Sequence, residues 1–329
     1  MKSKARRNSS GCAACAAINW HSKLMQRILA FLRLGRLHFL VGGFVFHALG
    51  TVIALYQGAS FDPRIFLWGQ AAITATQLAT HYSNDYFDLA ADRANRTPTR
   101  WSGGSRVLPK NQLPARTALI AAIALSAIPL IIGTILEIKL PDARLVLPLI
   151  LLALGLSWAY SAPPFHLHSR GLGELTTAIL VPGMTILVGF YLQLHRFELL
   201  PFLAIFPLGC LQFIMLLMIE FPDADGDRSV GKNTLVVRLG GRRAALLHNT
   251  VLFSAYASLP ILVLAGLPIQ VAIAALCTAP FAGWQIWRMA HGAWARPTAW
   301  NSLSFINLFL LIGTAILELL AFALLIGLS

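Results

Sequence analysis

The chain has 329 residues, of which 57% are hydrophobic and only 12% are charged. A soluble domain carries about 25% charged residues, so this composition excludes a soluble globular fold, a secreted disulfide scaffold and a disordered chain. The formal net charge is +13, but the basic residues are scattered between long apolar runs. That pattern favours an integral membrane protein that follows the positive-inside rule over a nucleic-acid-binding protein.

Residues 1–36 are predicted to form a cytoplasmic tail or interfacial segment. They do not read as a signal peptide, because no apolar core with a cleavage site follows the basic start. Residues 24–36 alternate apolar and basic side chains, which suits an amphipathic helix on an anionic membrane surface or, as we favour, an ordinary juxtamembrane anchor. Cys12 and Cys15 form a lone C-x-x-C without a second pair or a histidine partner, and this is weak support for a metal site.

Residues 37–329 are predicted to form one membrane domain, an all-α bundle of nine transmembrane helices. A span needs about 20 apolar residues, and helices satisfy their own backbone hydrogen bonds in lipid. The sequence lacks the alternating ten-residue strands of a membrane barrel. The predicted spans are 38–57, 65–83, 117–137, 144–161, 173–193, 200–220, 245–265, 268–287 and 303–327.

The distribution of basic residues predicts the orientation. With the N-terminus in the cytoplasm, 22 of the 26 Lys and Arg residues fall on the cytoplasmic side of these nine spans and four fall outside. This asymmetry predicts an N-in, C-out topology. The two longest internal loops, which follow spans 2 and 6, then both face the cytoplasm.

The first acidic cluster lies at the cytoplasmic end of span 2. Asp85, Asp88 and Asp92 are spaced i, i+3 and i+7, so on a helix they share one face, which Asn84 borders. Three like charges on one face repel each other unless a cation neutralises them. Carboxylate and amide oxygens are ligands that Mg²⁺ prefers, and Mg²⁺ commonly bridges to substrate phosphates.

The second cluster lies at the cytoplasmic end of span 6. Asp223 and Asp227 are spaced i, i+4 and share a helix face, whereas Asp225 would point elsewhere. The two clusters together hold six of the eight Asp residues in the chain. Acids at the C-terminal end of a helix oppose its dipole, so helix capping explains the clusters poorly.

Both clusters contain the pattern Asp-x-x-x-Asp-Arg, with an offset of 135 residues. The matching positions hint at an internal repeat of about four helices, with two carboxylate sets facing one cavity. Carboxylates that hold metal ions, together with nearby Arg and Lys, describe a diphosphate site. A lipid-tailed diphosphate could enter such a site from the bilayer.

These two motifs resemble the aspartate-rich motifs of the UbiA-type membrane prenyltransferases, which the nine-helix prediction also matches. Further segments resemble the 1,4-dihydroxy-2-naphthoate polyprenyltransferases of menaquinone biosynthesis, namely 102–108 (SGGSRVL) and 231–235 (GKNTL). Two departures concern the acceptor: Ala90 and Ala91 stand where that branch has a glycine, and Phe221 and Pro222 precede Asp223.

The resemblance implies Mg²⁺-dependent transfer of a prenyl chain from a polyprenyl diphosphate to an aromatic quinone precursor. It implies an active site on the cytoplasmic side of a bacterial inner membrane, with no role for nucleic acid. Tyr160 would position or polarise the acceptor, with an interfacial belt residue as the alternative. The Mg²⁺–diphosphate ligands would be Asn84, Asp85, Asp88, Asp92, Asp223 and Asp227. Candidates for contacts to the diphosphate, or for mere topology-setting charge, are Arg93, Arg106, Arg228 and Lys232.

Several alternatives stay open at this stage. The second choice of acceptor is 4-hydroxybenzoate, as in ubiquinone biosynthesis, and a remote alternative is a cation-coupled transporter. A transporter should carry its ionisable residues in mid-span rather than at helix ends. His81 lies one turn before Asp85 and could reach the site, whereas His166 and His168 are expected to lack acidic partners. The sequence leaves open the general base, the prenyl chain length and the oligomeric state.

Overall fold

The structure is a computed structural model that describes residues 13–140 and 142–328, with side chains described from residue 23 to residue 327 except residue 141. The described residues form an all-helical fold without a β-strand. Cys12 lies outside the described residues, as does the side chain of Cys15, so the C-x-x-C pair stays an observation on the sequence.

Sixteen α-helices follow one another along the described chain, several of them short or joined end to end. They are α1 (Ala13–Leu34), α2 (Leu40–Tyr56), α3 (Pro63–Phe87), α4 (Leu89–Ala94), α5 (Ala115–Lys139), α6 (Val146–Ser161), α7 (Gly173–Ala178), α8 (Thr185–Leu194), α9 (Leu200–Glu220), α10 (Ala224–Ser229), α11 (Leu235–Leu239), α12 (Gly241–Ala257), α13 (Leu259–Leu264), α14 (Ile269–Leu276), α15 (Ala279–Ala290) and α16 (Pro297–Leu328).

Each of the nine predicted spans overlaps one of these helices or an adjoining pair. By length and hydropathy, six helical segments of the described chain could cross a membrane, and a seventh could if α14 and α15, which meet at 45°, form one span. Helix α6 is short, with 16 residues, and α3 is polar along much of its length. The count of nine crossings and their orientation therefore stay predictions.

Two helices that shape the interior show how local sequence sets their ends. The carboxylate of Asp62 caps α3 by accepting hydrogen bonds from the N–H groups of Arg64 (2.8 Å) and Ile65 (3.1 Å), and Pro63 occupies the first helical position. Between α7 and α8, the segment Ile179–Met184 is a π-helical turn that contains Pro182. Because proline lacks an N–H donor, the regular helical ladder cannot continue through it.

The bundle packs most closely where glycines bring α2 and α8 together. A Cβ added at Gly50 would lie 2.0 Å from the carbonyl oxygen of Ile186, and one at Gly189 would lie 2.5 Å from that of His47. Helices in lipid gain little from hydrophobic burial against each other, so small residues that allow close van der Waals contact stabilise the pairing. The largest buried cluster surrounds this contact and joins α2, α8, α9, α12, α14 and α16.

Candidate active site

The first acidic cluster lies where α3 gives way to α4. Asp85 is in the last turn of α3, Asp88 forms the junction with ψ of 1°, and Asp92 is in α4. The Asp88 N–H still bonds the Asn84 carbonyl (2.8 Å), and the Asp92 N–H bonds the Asp88 carbonyl (2.9 Å). The three residues predicted to share one helix face thus follow a nearly continuous helical path with a break at Asp88.

Asp88 has the densest set of partners in this cluster. Its Oδ1 lies 2.7 Å from His168 Nε2, and its Oδ2 accepts hydrogen bonds from Asn84 Nδ2 (2.8 Å) and Lys232 Nζ (3.0 Å). Burial would raise the pKa of Asp88, but His168 and Lys232 outweigh burial and hold the pKa well below its usual range. The expectation that His168 lacks an acidic partner is therefore wrong: the fold brings Asp88 to it across 80 residues of sequence.

Asp85 is held by a cation and a hydroxyl instead. Arg36, which precedes α2, forms an ion pair with Asp85 Oδ1, and the Ser105 hydroxyl donates to Asp85 Oδ2. Arg36 also lies 3.4 Å from Asn84 Oδ1. The side chain of Asp85 is 1% exposed, so without these partners its charge would be costly to bury.

The second cluster is anchored through the loop between α4 and α5. Asp223 accepts hydrogen bonds from Asn95 Nδ2 (2.6 Å) and from the Gly103 N–H (3.0 Å). Asp227 is buried, whereas Asp225 is exposed and pairs with Arg228 at 3.2 Å. This arrangement has Asp225 pointing away from the other two acids, as the helical spacing predicts.

Lys232 joins the two clusters. Its ammonium lies 3.0 Å from Asp88 Oδ2 and 3.6 Å from Asp227 Oδ1. Burial would lower the pKa of Lys232, but the two carboxylates outweigh it and raise the pKa. Two acidic motifs that lie 135 residues apart in sequence therefore meet around one cation in three dimensions.

The loop with the sequence SGGSRVL reaches both motifs because three of its residues take left-handed backbone angles. Gly103, Gly104 and Arg106 have φ of 75°, 70° and 61°, which glycine adopts without steric cost. A Cβ added at Gly104 would lie 2.0 Å from Asp92 Oδ2. The Arg106 guanidinium donates to the backbone carbonyls of Asp92 and Gly103, so it fixes the loop beside the acidic residues.

The charges in this region favour binding of cations. Of the five carboxyl groups that the two motifs place here, three form ion pairs: Asp85 with Arg36, Asp88 with Lys232 and His168, and Asp227 with Lys232. Asp92 Oδ2 is buried without a hydrogen-bond partner in the described chain. Burial, followed by the repulsion of Asp85 and Asp88, raises the pKa of Asp92 to about 8. Burial also raises the pKa of Asp223, to about 6.

The donor set fits Mg²⁺ by its chemistry, since it consists of carboxylate and amide oxygens with an orphaned buried oxygen among them. Within residues 13–140 and 142–328, however, no three acidic, histidine or cysteine side chains already converge on one point as a preformed metal site. In this arrangement Arg36 and Lys232 neutralise the carboxylates. To hold a metal ion, Asp85, Asp88 and Asp227 would have to release those cations. The other predicted ligands are Asn84, Asp92 and Asp223.

A cavity of about 530 Å³ begins at this site and extends into the bundle. Arg36, Asn84 and Tyr160 line its polar end, and side chains from α2, α3, α9 and α16 form mostly apolar walls. Its volume is in the range of cavities that hold small organic ligands. At the polar end, the Tyr160 ring stacks on His168 with centroids 4.9 Å apart.

The structure does not bring all four predicted diphosphate-binding cations to the carboxylates. Lys232 and Arg106 lie beside them, as described above. Arg93 is exposed and donates to Asn111 (3.3 Å), and the exposed Arg228 pairs with Asp225. Arg93 and Arg228 are therefore close to the acidic motifs in sequence but do not contact the buried carboxylates in this structure.

Sequence reasoning missed Arg36, Asn95 and Ser105, and it discounted His168. Arg36 precedes the first predicted span, where a basic residue is expected for topology alone. Ser105 and Asn95 lie in a loop rich in small polar residues, where nothing marks them out. Only the fold, which packs this loop between the two motifs, could identify their partners.

Comparison with known proteins agrees with this geometry. The UbiA prenyltransferase family matches residues 44–312. The 1,4-dihydroxy-2-naphthoate octaprenyltransferase of Bacillus subtilis is 25% identical over 65% of this chain and 67% of its own length. The Escherichia coli protein of the same name is 26% identical over 62% of this chain and 66% of its own length. The chain thus spans about two thirds of the length of each relative.

A solved structure shares the fold. A UbiA homolog from Archaeoglobus fulgidus, bound to DMAPP and Mg²⁺, superposes with a TM-score of 0.59 and 16% sequence identity. The match covers 87% of this chain and 98% of that protein. This chain therefore resembles that homolog in its helical architecture over nearly the whole bundle.

Proposed function

This chain belongs to the UbiA prenyltransferase family and is a membrane-bound aromatic prenyltransferase, and we propose that it prenylates 1,4-dihydroxy-2-naphthoate. The donor would be an allylic polyprenyl diphosphate and the cofactor Mg²⁺. The two octaprenyltransferase relatives support this acceptor. The DMAPP and Mg²⁺ bound to the A. fulgidus homolog support the donor class and the metal.

The observation that carries the proposal is the meeting of both acidic motifs at the polar end of an apolar cavity. Lys232 contacts Asp88 from one motif and Asp227 from the other, and Asn84, which bonds Asp88, lines the cavity. A diphosphate head group needs cations and their carboxylate ligands, whereas a polyprenyl chain needs an apolar, water-poor channel. The site and the cavity supply these two environments next to each other.

Different residues of this chain would perform different parts of the transfer reaction. The acidic residues and Asn84 would hold Mg²⁺, which when bound neutralises the charge that develops on the departing diphosphate. Lys232, released from Asp88 and Asp227, and Arg106 are close enough to share that role. The apolar walls exclude water from the allylic fragment until the acceptor ring attacks it. Tyr160 lines the cavity at the polar end, where it would orient that ring.

The basic loops support a cytoplasmic site in a bacterial inner membrane. The acidic motifs adjoin the two predicted loops that carry most of the internal Lys and Arg residues. Under the positive-inside rule these loops face the cytoplasm, where a charged diphosphate and a carboxylated acceptor would be available.

The test uses the purified full-length protein in detergent with Mg²⁺ and polyprenyl diphosphates of several chain lengths. 1,4-Dihydroxy-2-naphthoate and 4-hydroxybenzoate are offered separately, and the prenylated product is detected by mass. Asp88→Ala should abolish turnover. Asp225→Ala is the matched control, because it removes an exposed acid of the second cluster that faces away from the site, and it should retain turnover.

Product from the naphthoate, lost on chelation of Mg²⁺ and in Asp88→Ala, is the expected result. Product from 4-hydroxybenzoate alone would overturn the proposed acceptor while keeping the donor chemistry. Equal activity of Asp88→Ala and Asp225→Ala would overturn the proposed donor site. These outcomes separate the choice of acceptor from the location of the site.

A further inference from the structure

One side of helix α3 lines the otherwise apolar cavity with polar side chains. The cavity-lining residues of this helix include Thr76, Gln77, Thr80, His81 and Asn84, which recur at helical spacing on one side. Of these five side chains, only that of His81 carries a ring nitrogen that can act as a base. His81 lies one turn deeper in the bundle than Asn84, so it stands between the carboxylate site and the apolar part of the cavity.

The imidazole of His81 is held in one orientation. Its Nδ1 lies 2.8 Å from the backbone carbonyl oxygen of Gly35, and its ring meets that of Phe39 edge-on, with centroids 6.2 Å apart. A carbonyl oxygen can only accept, so Nδ1 carries the hydrogen of this bond. In the neutral ring Nε2 then carries a lone pair, and no group in the described part of the chain donates a hydrogen bond to it.

The other titratable side chains on the cavity wall are less suited to accept a proton from a buried acceptor ring. Among the described residues, the cavity is lined by four such side chains: Arg36, His38, His81 and Tyr160. Arginine and the tyrosine hydroxyl are proton donors at neutral pH, and His38 is exposed at the mouth. The acids nearest the polar end, Asp85 and Asp88, are already bonded to cations.

We propose that His81 Nε2 accepts the hydroxyl proton of the phenolic acceptor as the acceptor ring attacks the prenyl donor, an inference that rests on the proposed function. The ring carbon that bears the carboxylate forms a bond to the allylic carbon of the donor. The carbon–oxygen bond to diphosphate breaks, and its electron pair leaves with the diphosphate. Transfer of the O–H proton to His81 leaves the ring as a neutral dienone.

Aromaticity then returns without an external base. When the displaced carboxylate leaves as CO₂, the electron pair of its carbon–carbon bond re-enters the ring and the ring oxygen becomes a phenolate. His81 returns its proton to that oxygen, so the histidine ends the cycle as it began. A single fixed imidazole thus accounts for both proton movements.

The groups that face His81 define what would modulate this transfer. Arg36 and His38 approach it from the segment before α2, and Asp85 lies on its own helix. Arg36 is held by Asp85, so its charge is balanced before the acceptor arrives. The Gly35–Arg36 segment thereby both orients the imidazole and supplies one of its charged neighbours.

The experiment compares His81→Ala with His291→Ala in the full-length protein, using the aromatic acceptor that the wild type prenylates. His291 is the matched control, because its Nδ1 also lies 2.8 Å from a backbone carbonyl, that of Trp287, but it is exposed and outside the cavity. We measure kcat, KM for the diphosphate, and rescue of the rate by added imidazole.

We expect kcat of His81→Ala to fall about 100-fold or more, the range of general-base contributions. KM for the diphosphate should change little, and imidazole should restore part of the rate. His291→Ala should behave as the wild type. Retention of kcat within about threefold in His81→Ala would overturn the proposal, as would a loss that imidazole does not rescue and that raises KM for the diphosphate equally.

The wild-type arm separates this inference from the proposed function. Turnover of 4-hydroxybenzoate but not of the naphthoate overturns the acceptor assignment and, with it, the return of the proton through loss of CO₂. The His81 comparison then runs on 4-hydroxybenzoate and tests the first proton transfer alone. Absence of product from every phenolic acceptor overturns both proposals together.

Discussion

At the scale of single residues, Lys232 is the side chain on which the arrangement of the site depends most. It is 15% exposed and contacts one carboxylate from each acidic motif. Buried charges are stable only when they are paired. A site of this composition therefore needs an internal cation, and Lys232 supplies it by contacting Asp88 and Asp227.

Lys232→Met should destabilise the metal-free protein, because it leaves two carboxylates without their shared partner. Removal of one partner of a buried ion pair costs about 3–5 kcal/mol. Thermal unfolding in detergent should show a lower Tm, and added Mg²⁺ should raise the Tm of the variant more than that of the wild type. Lys110→Met, at an exposed loop position, is the control. An equal response of all three proteins to Mg²⁺ would contradict the role assigned to Lys232.

The raised pKa of Asp92 predicts how the affinity for Mg²⁺ depends on pH. Its pKa is raised to about 8, first by burial and then by Asp85 and Asp88. Below that pH the carboxyl is protonated and cannot bind a cation, so metal binding must release a proton. Mg²⁺ affinity should therefore rise from pH 6 to pH 8 and level off above it.

Titration of Tm against Mg²⁺ at several pH values measures this dependence. Asp92→Asn should bind Mg²⁺ more weakly and with a shallower pH slope. The slope that remains would include Asp223, whose pKa burial raises to about 6. A wild-type affinity that is flat between pH 6 and pH 8 would be inconsistent with the raised pKa.

At the scale of helices, α2 and α8 approach each other closely, and both contribute side chains to the wall of the cavity. The contact depends on Gly50, where a Cβ would overlap the carbonyl of Ile186. Overpacking of a tight contact costs about 1–3 kcal/mol, and here a rigid backbone rather than a flexible side chain would have to move.

Gly50→Ala should therefore lower the free energy of unfolding by about 1–3 kcal/mol. Gly283→Ala is the control: it lies in α15 with open space around its Cβ position, and alanine should stabilise that helix by about 0.5–1 kcal/mol. Denaturation of both variants in the same detergent measures the two changes. Equal changes in the free energy of unfolding of the two variants would show that packing between α2 and α8 does not depend on Gly50.

At the scale of the whole molecule, the proposed site lies at the end of the bundle where the two motif-bearing junctions meet. The α3–α4 junction supplies one motif, the α9–α10 junction supplies the other, and the loop between α4 and α5 bridges them through Asn95 and Gly103. The internal repeat stays a prediction. The orientation of this end relative to the membrane is a prediction that labelling can test.

Arg196 and Arg228 form a suitable pair, since they lie at opposite ends of α9 and have similar side-chain exposures of 63% and 59%. In a background without other cysteines, Arg228→Cys should react with an impermeant maleimide only in inside-out vesicles. Arg196→Cys should react only in right-side-out vesicles. Labelling of both positions from one side would show that α9 does not cross the membrane as predicted.

Much of this protein follows from local sequence. The apolar runs predict the helices, because a chain in lipid must satisfy its own backbone, and helical spacing predicts that Asp223 and Asp227 separate from Asp225. The identity of the acidic motifs was readable because clustered carboxylates are rare in a chain so poor in acids. In each case, the information lies within a few helical turns.

The partners of those acids were decided only by tertiary structure. Arg36, Ser105, His168 and Lys232 come from four separate segments, and each meets a carboxylate of the first motif. Periodicity describes neighbours along a helix but carries no information about which helices pack together. The choice depends on long-range contacts such as that between α2 and α8. The orientation of His81, which a backbone carbonyl 46 residues away determines, depends on the same long-range packing.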